Sequence, residues 1–275
     1  MSVYRNGSYV GVSGLVNREQ QRELTDYAGN TLGNRTDTML FLGVKAVHKT
    51  QWLDIENKYG PSWYPVGEEA FADTLDVGSD AVAQMYLDPE ILAANPQYGT
   101  EFIRRVKRRG HHWLNIIQFD LMPYRQNPEA FGYLIHEARR EAGLREYKVI
   151  VQCHGEAMAE GPKPAIEKLK RLSPDEIDWV LFDASHGKGL EMEPDALRPF
   201  LETGLEDPDL AHVGFGVAGG LDAAAVERYI PELLRDFPEI SWDAEGRLHR
   251  TDDGVLDMQA AKDYLRASGD VIEAA

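Results

Sequence analysis

The chain has 275 residues, of which 43% are hydrophobic, and carries a formal charge of −17 at pH 7. That length suits one α/β barrel of about 250 residues and leaves little room for a second domain. The acidic balance excludes nucleic acid and anionic membrane surfaces as partners, since both recruit basic faces.

Cys153 is the single cysteine, so no intramolecular disulfide forms. The first seven residues lack the apolar core of a signal peptide, and no apolar run is long enough to span a bilayer. A soluble, cytoplasmic protein is the expectation.

The first apolar run, Tyr9–Ser13, ends on Ser-Gly, and Asn17 caps a polar helix over residues 18–28. Residues 38–47 form a second buried strand. A long connection from His48 to Pro65 follows, holding Trp52, Tyr59, Trp63 and Tyr64. Its length fits a lid or binding loop, and its aromatics fit a plug over one barrel end equally well.

A short helix over 67–75 precedes a third strand near 81–87. A helix over 99–109 ends in Arg104, Arg105, Lys107, Arg108 and Arg109, which reads as a solvated helix end favoured by the macrodipole. Residues 112–121 are a fourth strand, and Asn127-Pro128 starts a helix running to about Ala142. Lys148–Gly155 is the fifth strand, followed by a helix over 164–172.

Trp179–Asp183 is a sixth apolar strand that closes on an aspartate, with a Gly187-Lys188-Gly189 loop beyond it. A helix over 194–201 follows. The seventh strand spans 212–221, with Asp222 capping a helix over 223–237. The eighth spans 240–246, and a helix over 257–267 ends the pattern. Strict strand–helix alternation predicts a parallel sheet. Eight such units, with no linker between them, predict a single (β/α)8 TIM barrel over 1–275.

Chemistry in such a barrel sits at the C-terminal strand ends. The polar residues falling there are Ser13, Lys45, His48, Tyr86, Asp88, Gln118, Asp120, Gln152, His154, Asp183, Gly219, Gly220 and Asp243. Gln118-x-Asp120 and Gln152-x-His154 share a period of two, so both members of each pair face one side of the strand. The barrel interior is favoured, because on the outer face they would be buried against helices at a desolvation cost.

Asp120, His154, Asp183 and Asp243 also make a conceivable metal set, but no compact ligand motif supports one, and no metal or cofactor is expected. Lys45 fits either a Schiff-base amine or a partner for a neighbouring strand-end acid. Cys153, between Gln152 and His154, points the opposite way, into helix packing. Phosphate-binding barrels use the loops after strands seven and eight. Gly219, Gly220 and Gly246, with Gly187, Lys188 and Gly189 on the same side, supply backbone N–H groups and charge for an anion. Glycine for turn geometry alone is the competing explanation.

Val12-Ser13-Gly-Leu, Val180-Leu-Phe-Asp183 and Val217-Ala-Gly-Gly-Leu-Asp-Ala-Ala-Ala-Val-Glu227 together resemble phosphoribosylanthranilate isomerase. So do Asp243-Ala-Glu-Gly246 and Gly254-Val-Leu-Asp-Met-Gln-Ala-Ala-Lys262. The resemblance implies a phosphate-binding barrel performing an Amadori rearrangement of an N-linked phosphoribose. It assigns the general acid to Asp183 and the general base to position 13. That family carries a cysteine there, whereas this chain has Ser13, too weak an acid to supply a base unaided. The family's arginine after strand two is replaced by Lys49 or Trp52, and its Gln-Leu-His-Gly of strand four by Gln118-Phe-Asp120-Leu.

The expectation is an isomerase acting on a phosphorylated sugar derivative. Asp183 serves as acid, His154 or Asp120 as base in place of Ser13, and Lys45, Gln118 and Gln152 contact the ligand. A barrel with changed chemistry (aldolase, lyase or metal-assisted hydrolase) and a non-catalytic phosphate-ligand binder are the alternatives. A homodimer is suggested by the aromatics of the His48–Pro65 connection.

Overall fold

Each apolar run becomes a parallel strand of one closed barrel. The computed structural model describes residues 6–32, 38–58, 60–75, 80–86, 95, 97–110, 114–120, 128–141, 148–172, 174–183 and 193–275. The strands are β1 (Tyr9–Ser13), β2 (Met39–Val47), β3 (Asp80–Tyr86), β4 (Leu114–Asp120), β5 (Lys148–His154), β6 (Trp179–Asp183), β7 (Gly214–Ala218) and β8 (Ser241–Ala244). They pair in sequential order, and β8 closes on β1 through Val10–Trp242, Gly11–Asp243 and Val12–Ala244.

The described helices are α1 (Arg18–Thr31), α2 (His48–Gln51), α3 (Gly67–Leu75), α4 (Tyr98–Gly110), α5 (Pro128–Glu141), α6 (Pro162–Lys170), α7 (Pro194–Glu206), α8 (Ala223–Asp236) and α9 (Met258–Ala274). Asn17 caps α1 through Gln20 N at 2.9 Å, and Asp222 caps α8 through Ala225 N at 2.8 Å. Among the described residues, no helix is long and apolar enough to cross a membrane.

Period-two alternation divides every strand. In β2, Leu42, Val44 and Ala46 pack outward under the helices, whereas Phe41, Gly43 and Lys45 belong to the interior set. The interior is filled in tiers, as a barrel of this size requires. Its floor is apolar: Tyr9, Phe41, Val82, Ile116, Ile150, Trp179, Leu181 and Ala218 form one buried cluster. Tyr9 and Phe41 stack at 4.3 Å, with the Trp179 ring edge-on to both. Each large aromatic buries about 150–250 Å², an upper limit of about 4–6 kcal/mol in transfer free energy. Room for Trp179 comes from β7, where a Cβ on Gly214 would lie 2.6 Å from its Nε1.

Two expectations are corrected. Arg109 is not part of a solvated helix end: it is 3% exposed. It donates to Gln51 Oε1 at 3.1 Å and to Asp54 Oδ1 at 2.9 Å, pinning the connection after β2. A planar fork of donors satisfies two turns of chain where a solvated side chain would satisfy none. The last helix also runs on past Ala267 to Ala274. Ser268 Oγ accepts from Trp242 Nε1 at 3.0 Å, and Gly269 lets the end of α1 approach, since a Cβ there would sit 2.9 Å from Thr31 O.

The His48–Pro65 connection serves two surfaces. Trp52 packs outside the barrel against His48, Tyr98 and Phe102. Trp63 lies over the loop after β8, stacked on His249 at 3.9 Å, and Ser62 Oγ donates to Asp253 O at 3.1 Å.

Candidate active site

Above the apolar floor, the interior turns polar, and its side chains link into a belt. Ser13 Oγ donates to Asp243 Oδ1 at 3.0 Å across the β1–β8 seam. Gln84 Nε2 donates to Ser13 Oγ at 2.6 Å and to Gln118 Oε1 at 3.4 Å. Gln118 Nε2 donates to Gln152 Oε1 at 3.1 Å, and Gln152 Nε2 to Asp183 Oδ2 at 3.2 Å. The belt runs from β8 through β1, β3, β4 and β5 to β6.

Glycines make the belt possible. Gly43 lets Ser13 and Gln84 meet across β2: a Cβ there would lie 2.5 Å from Ser13 Oγ and 3.0 Å from Gln84 Nε2. Gly11 gives Asp243 its place, since a Cβ on Gly11 would lie 2.7 Å from the Asp243 Cγ.

A second tier sits at the strand ends. Lys45 is 4% exposed and pairs with Glu245, just past β8. The Trp63 ring covers its ammonium, with the centroid 4.5 Å away, and Tyr64 flanks it at 5.2 Å. These contacts suit a fixed cation rather than a nucleophilic amine. On the opposite wall, Asp120 Oδ1 and His154 Nε2 pair at 2.9 Å. Asp183 stands beside His154 in the β5–β6 register.

Burial is the main force acting on Asp243. It lifts the carboxyl to about 7, with Glu245 and Asp183 adding to the rise and the Ser13 hydrogen bond and Lys45 opposing it. For His154, burial disfavours the charged ring, but the Asp120 hydrogen bond and the charges of Asp120 and Asp183 outweigh it and raise its pKa. Desolvation holds His249 low and pushes the buried Cys153 thiol up to about 12, which makes Cys153 an inert core residue. Asp120→Asn is therefore expected to lower the His154 titration midpoint, read by NMR of the ring protons. The His154 charge contributes stability at acidic pH that is lost as pH rises through its elevated folded value. The variant should lose that increment, and an unmoved midpoint would sink the pairing.

The structure brings together Ser13, Lys45, Gln118, Asp120, Gln152, His154, Asp183 and Asp243 at one end of the barrel. Gly187, Lys188, Gly189 and Asp88 lie outside the described residues. Gly219 and Gly220 take φ of +100° and +63° in the turn from β7 to Asp222, so their geometry demands glycine with or without an anion. Gly246 opens a 3-10 turn, and its neighbour Arg247 pairs with Asp222 at 3.3 Å. His48 is not at the mouth: its Nδ1 lies 3.1 Å from the Tyr98 hydroxyl of α4. Lys49 is exposed on α2.

Sequence reasoning missed Gln84, Gly11, Glu245 and His249 as site-forming residues, and it named Trp63 only as part of the long connection. A signal for Gln84 existed: Gln84, Gln118 and Gln152 recur at intervals of 34 residues, one strand–helix unit apart.

Solved structures share this architecture. Octameric ribulose-1,5-bisphosphate carboxylase/oxygenase (Rubisco) from Pyrococcus horikoshii OT3 matches with a TM-score of 0.57 and 14% identity, over 98% of this chain and 60% of that one. The same enzyme in complex with sulfate ion gives 0.56 and 14%, over 98% and 59%. The chain thus spans about three fifths of the length of those chains. At that identity the likeness is one of fold: the chain is a (β/α)8 barrel with acid–base side chains gathered at its C-terminal mouth. No protein-family model and no curated protein matches it.

Proposed function

We propose that this barrel is an isomerase acting on a phosphorylated sugar derivative, with Asp243 as general base and Asp183 as general acid. The carrying observation is the Asp243 carboxyl, buried, held near neutrality and hydrogen-bonded to Ser13. It stands next to the position at which the resemblance to phosphoribosylanthranilate isomerase places the base. A carboxyl with a pKa near 7 is both populated as a base and strong enough to accept a proton at neutral pH. Asp243 removes the proton from C2 and delivers it, after exchange with solvent, to C1; loss of the C2 hydroxyl proton completes the ketone and restores the acid. Asp183 protonates the ring oxygen that leaves C1, and the adjoining Asp120–His154 pair is a proton reservoir on that wall.

The phosphate half of the proposal draws on Gly219, Gly220 and Gly246 beside the α8 N-terminus, together with Lys188. Asp222 already caps α8 and pairs with Arg247, so a phosphate there would have to draw Arg247 away. No cofactor enters this reading. Of the aromatics that suggested a homodimer, Trp52, Trp63 and Tyr64 are engaged within the chain, and Tyr59 lies outside the described residues; Leu53 and Ile55 are the exposed apolar side chains that a second copy would meet there.

Incubation with aldose phosphates and N-aryl phosphoribosylamines in D2O tests the reaction. Ketose product carrying deuterium at C1 is expected, and its absence across the panel sinks the proposal. Asp183→Asn should abolish turnover while leaving affinity for the phosphorylated ligand largely intact; undiminished turnover removes Asp183 from the acid role.

A further inference from the structure

Gln118 and Gln152 stand among the ligand-binding candidates, yet their amides are taken up by neighbours within the belt, and the belt has a single sense. Gln152 Nε2 donates to Asp183, so Gln152 Oε1 is left to accept from Gln118 Nε2. Gln118 Oε1 in turn accepts from Gln84 Nε2. The same Gln84 nitrogen donates to Ser13 Oγ, and the one proton on that hydroxyl goes to Asp243. Once the Asp183 oxygen is an acceptor, each amide has one orientation left. Gln84 Oε1 is buried with no donor among the described residues, and Gln84 itself is 3% exposed. An acceptor is thus left unmet while both N–H groups of the amide point into the belt, which marks the side of Gln84 that matters.

We propose that Gln84, Gln118 and Gln152 form a directional relay that ties the proton occupancy of Asp243 to the charge on Asp183 around the barrel, from β6 back to β8. They are positioning residues rather than ligand contacts. The relay works against the direct repulsion between the two carboxylates. An ionised Asp183 orients the amides so that Ser13 gives its proton to Asp243 and favours the basic form there. With the relay cut, the Gln84 amide is free to turn its oxygen to Ser13, and the hydroxyl proton leaves Asp243.

Other groups facing Asp243 are Glu245, which opposes its ionisation, Lys45, which favours it, and the buried Tyr9 and Tyr264 hydroxyls. None of them belongs to the chain of amides. On the other side Asp183 adjoins His154, itself paired with Asp120. The catalytic use of the relay rests on the proposed proton transfer, but its existence does not.

The test is therefore made without ligand. The full chain, labelled with 13C at the aspartate carboxyls, is titrated by NMR, and the Asp243 resonance is assigned by its loss in Asp243→Asn. Gln118→Met removes the middle link without touching Ser13 or either carboxylate, and is expected to raise the Asp243 midpoint by on the order of one pH unit. Gln152→Met cuts the relay nearer the rim, where the side chain is partly exposed, and should do the same even if the first variant fails to fold. An Asp243 midpoint that stays put or falls in a folded variant overturns the relay. A raised midpoint together with no isotope exchange on any sugar phosphate leaves the relay standing and sinks the isomerase reading instead.

Discussion

Asp243→Asn should lower deuterium exchange into the sugar phosphate by about a thousandfold, within the range a positioned base contributes. The same variant should stabilise the chain above neutral pH. The two effects have one cause. Burial lifts the Asp243 carboxyl from 3.8 to about 7 in the folded state. The unfolded chain has released that proton by about pH 4, while the folded chain keeps it until about pH 7. Across that window the folded state binds one more proton, so stability falls as pH rises. A rise of about three units corresponds to about 4 kcal/mol lost once the pH passes the folded value. Asparagine keeps an acceptor for Ser13 and has no charge to bury, so it escapes this loss. Urea unfolding at about pH 4 should find the variant and the parent nearly equal, and at about pH 8 the variant should be the more stable. Equal stability at both would mean that the carboxyl is not held near neutrality. The exchange rate of the parent should rise with pH through about 7 and then level off, as expected for a base that must be ionised.

Gly11→Ala is expected to cost about a hundredfold in exchange rate, although residue 11 carries no functional group. An alanine methyl there would overlap the Asp243 side chain, its Cβ lying 2.7 Å from Asp243 Cγ. Position 11 has ordinary strand geometry, so the backbone accepts alanine and the steric conflict falls on Asp243. The carboxyl must turn away, which breaks its bond to Ser13 and misplaces the base by about 1 Å, enough for a loss of that size. Overpacking of this kind also costs about 1–3 kcal/mol of stability. The exchange assay and a thermal melt check both halves. An unchanged rate would show that the seat of Asp243 does not matter, and the base assignment would fail with it.

The fold was legible because its information is local. Apolar runs such as Trp179–Asp183 alternate with capped amphipathic stretches, and Asn17 and Asp222 cap the helices they were expected to cap. The gathering of Ser13, Gln118, Gln152, Asp183 and Asp243 at one end followed from strand period and strand ends. What stayed hidden depends on contacts between distant strands. Nothing around Gly11 announces that Asp243 will lie over it, and nothing near Gly43 announces that Ser13 and Gln84 will meet there. Arg109 was misread for the same reason, since its partners Gln51 and Asp54 come from another unit of the barrel. The helix-end composition alone favoured solvent.

Ser13 and Asp243 join across 230 residues of sequence, at the seam where the barrel closes. While the chain is being made, the first strand waits for the eighth, and no partly synthesised barrel can bring the carboxyl to its serine. Burying that acid is one of the last acts of assembly, and a chain that stops short of closure exposes a wet, ordinary aspartate with an ordinary pKa. The site therefore cannot switch on early. The proton transfer proposed for this molecule would double as a report that the final seam has closed.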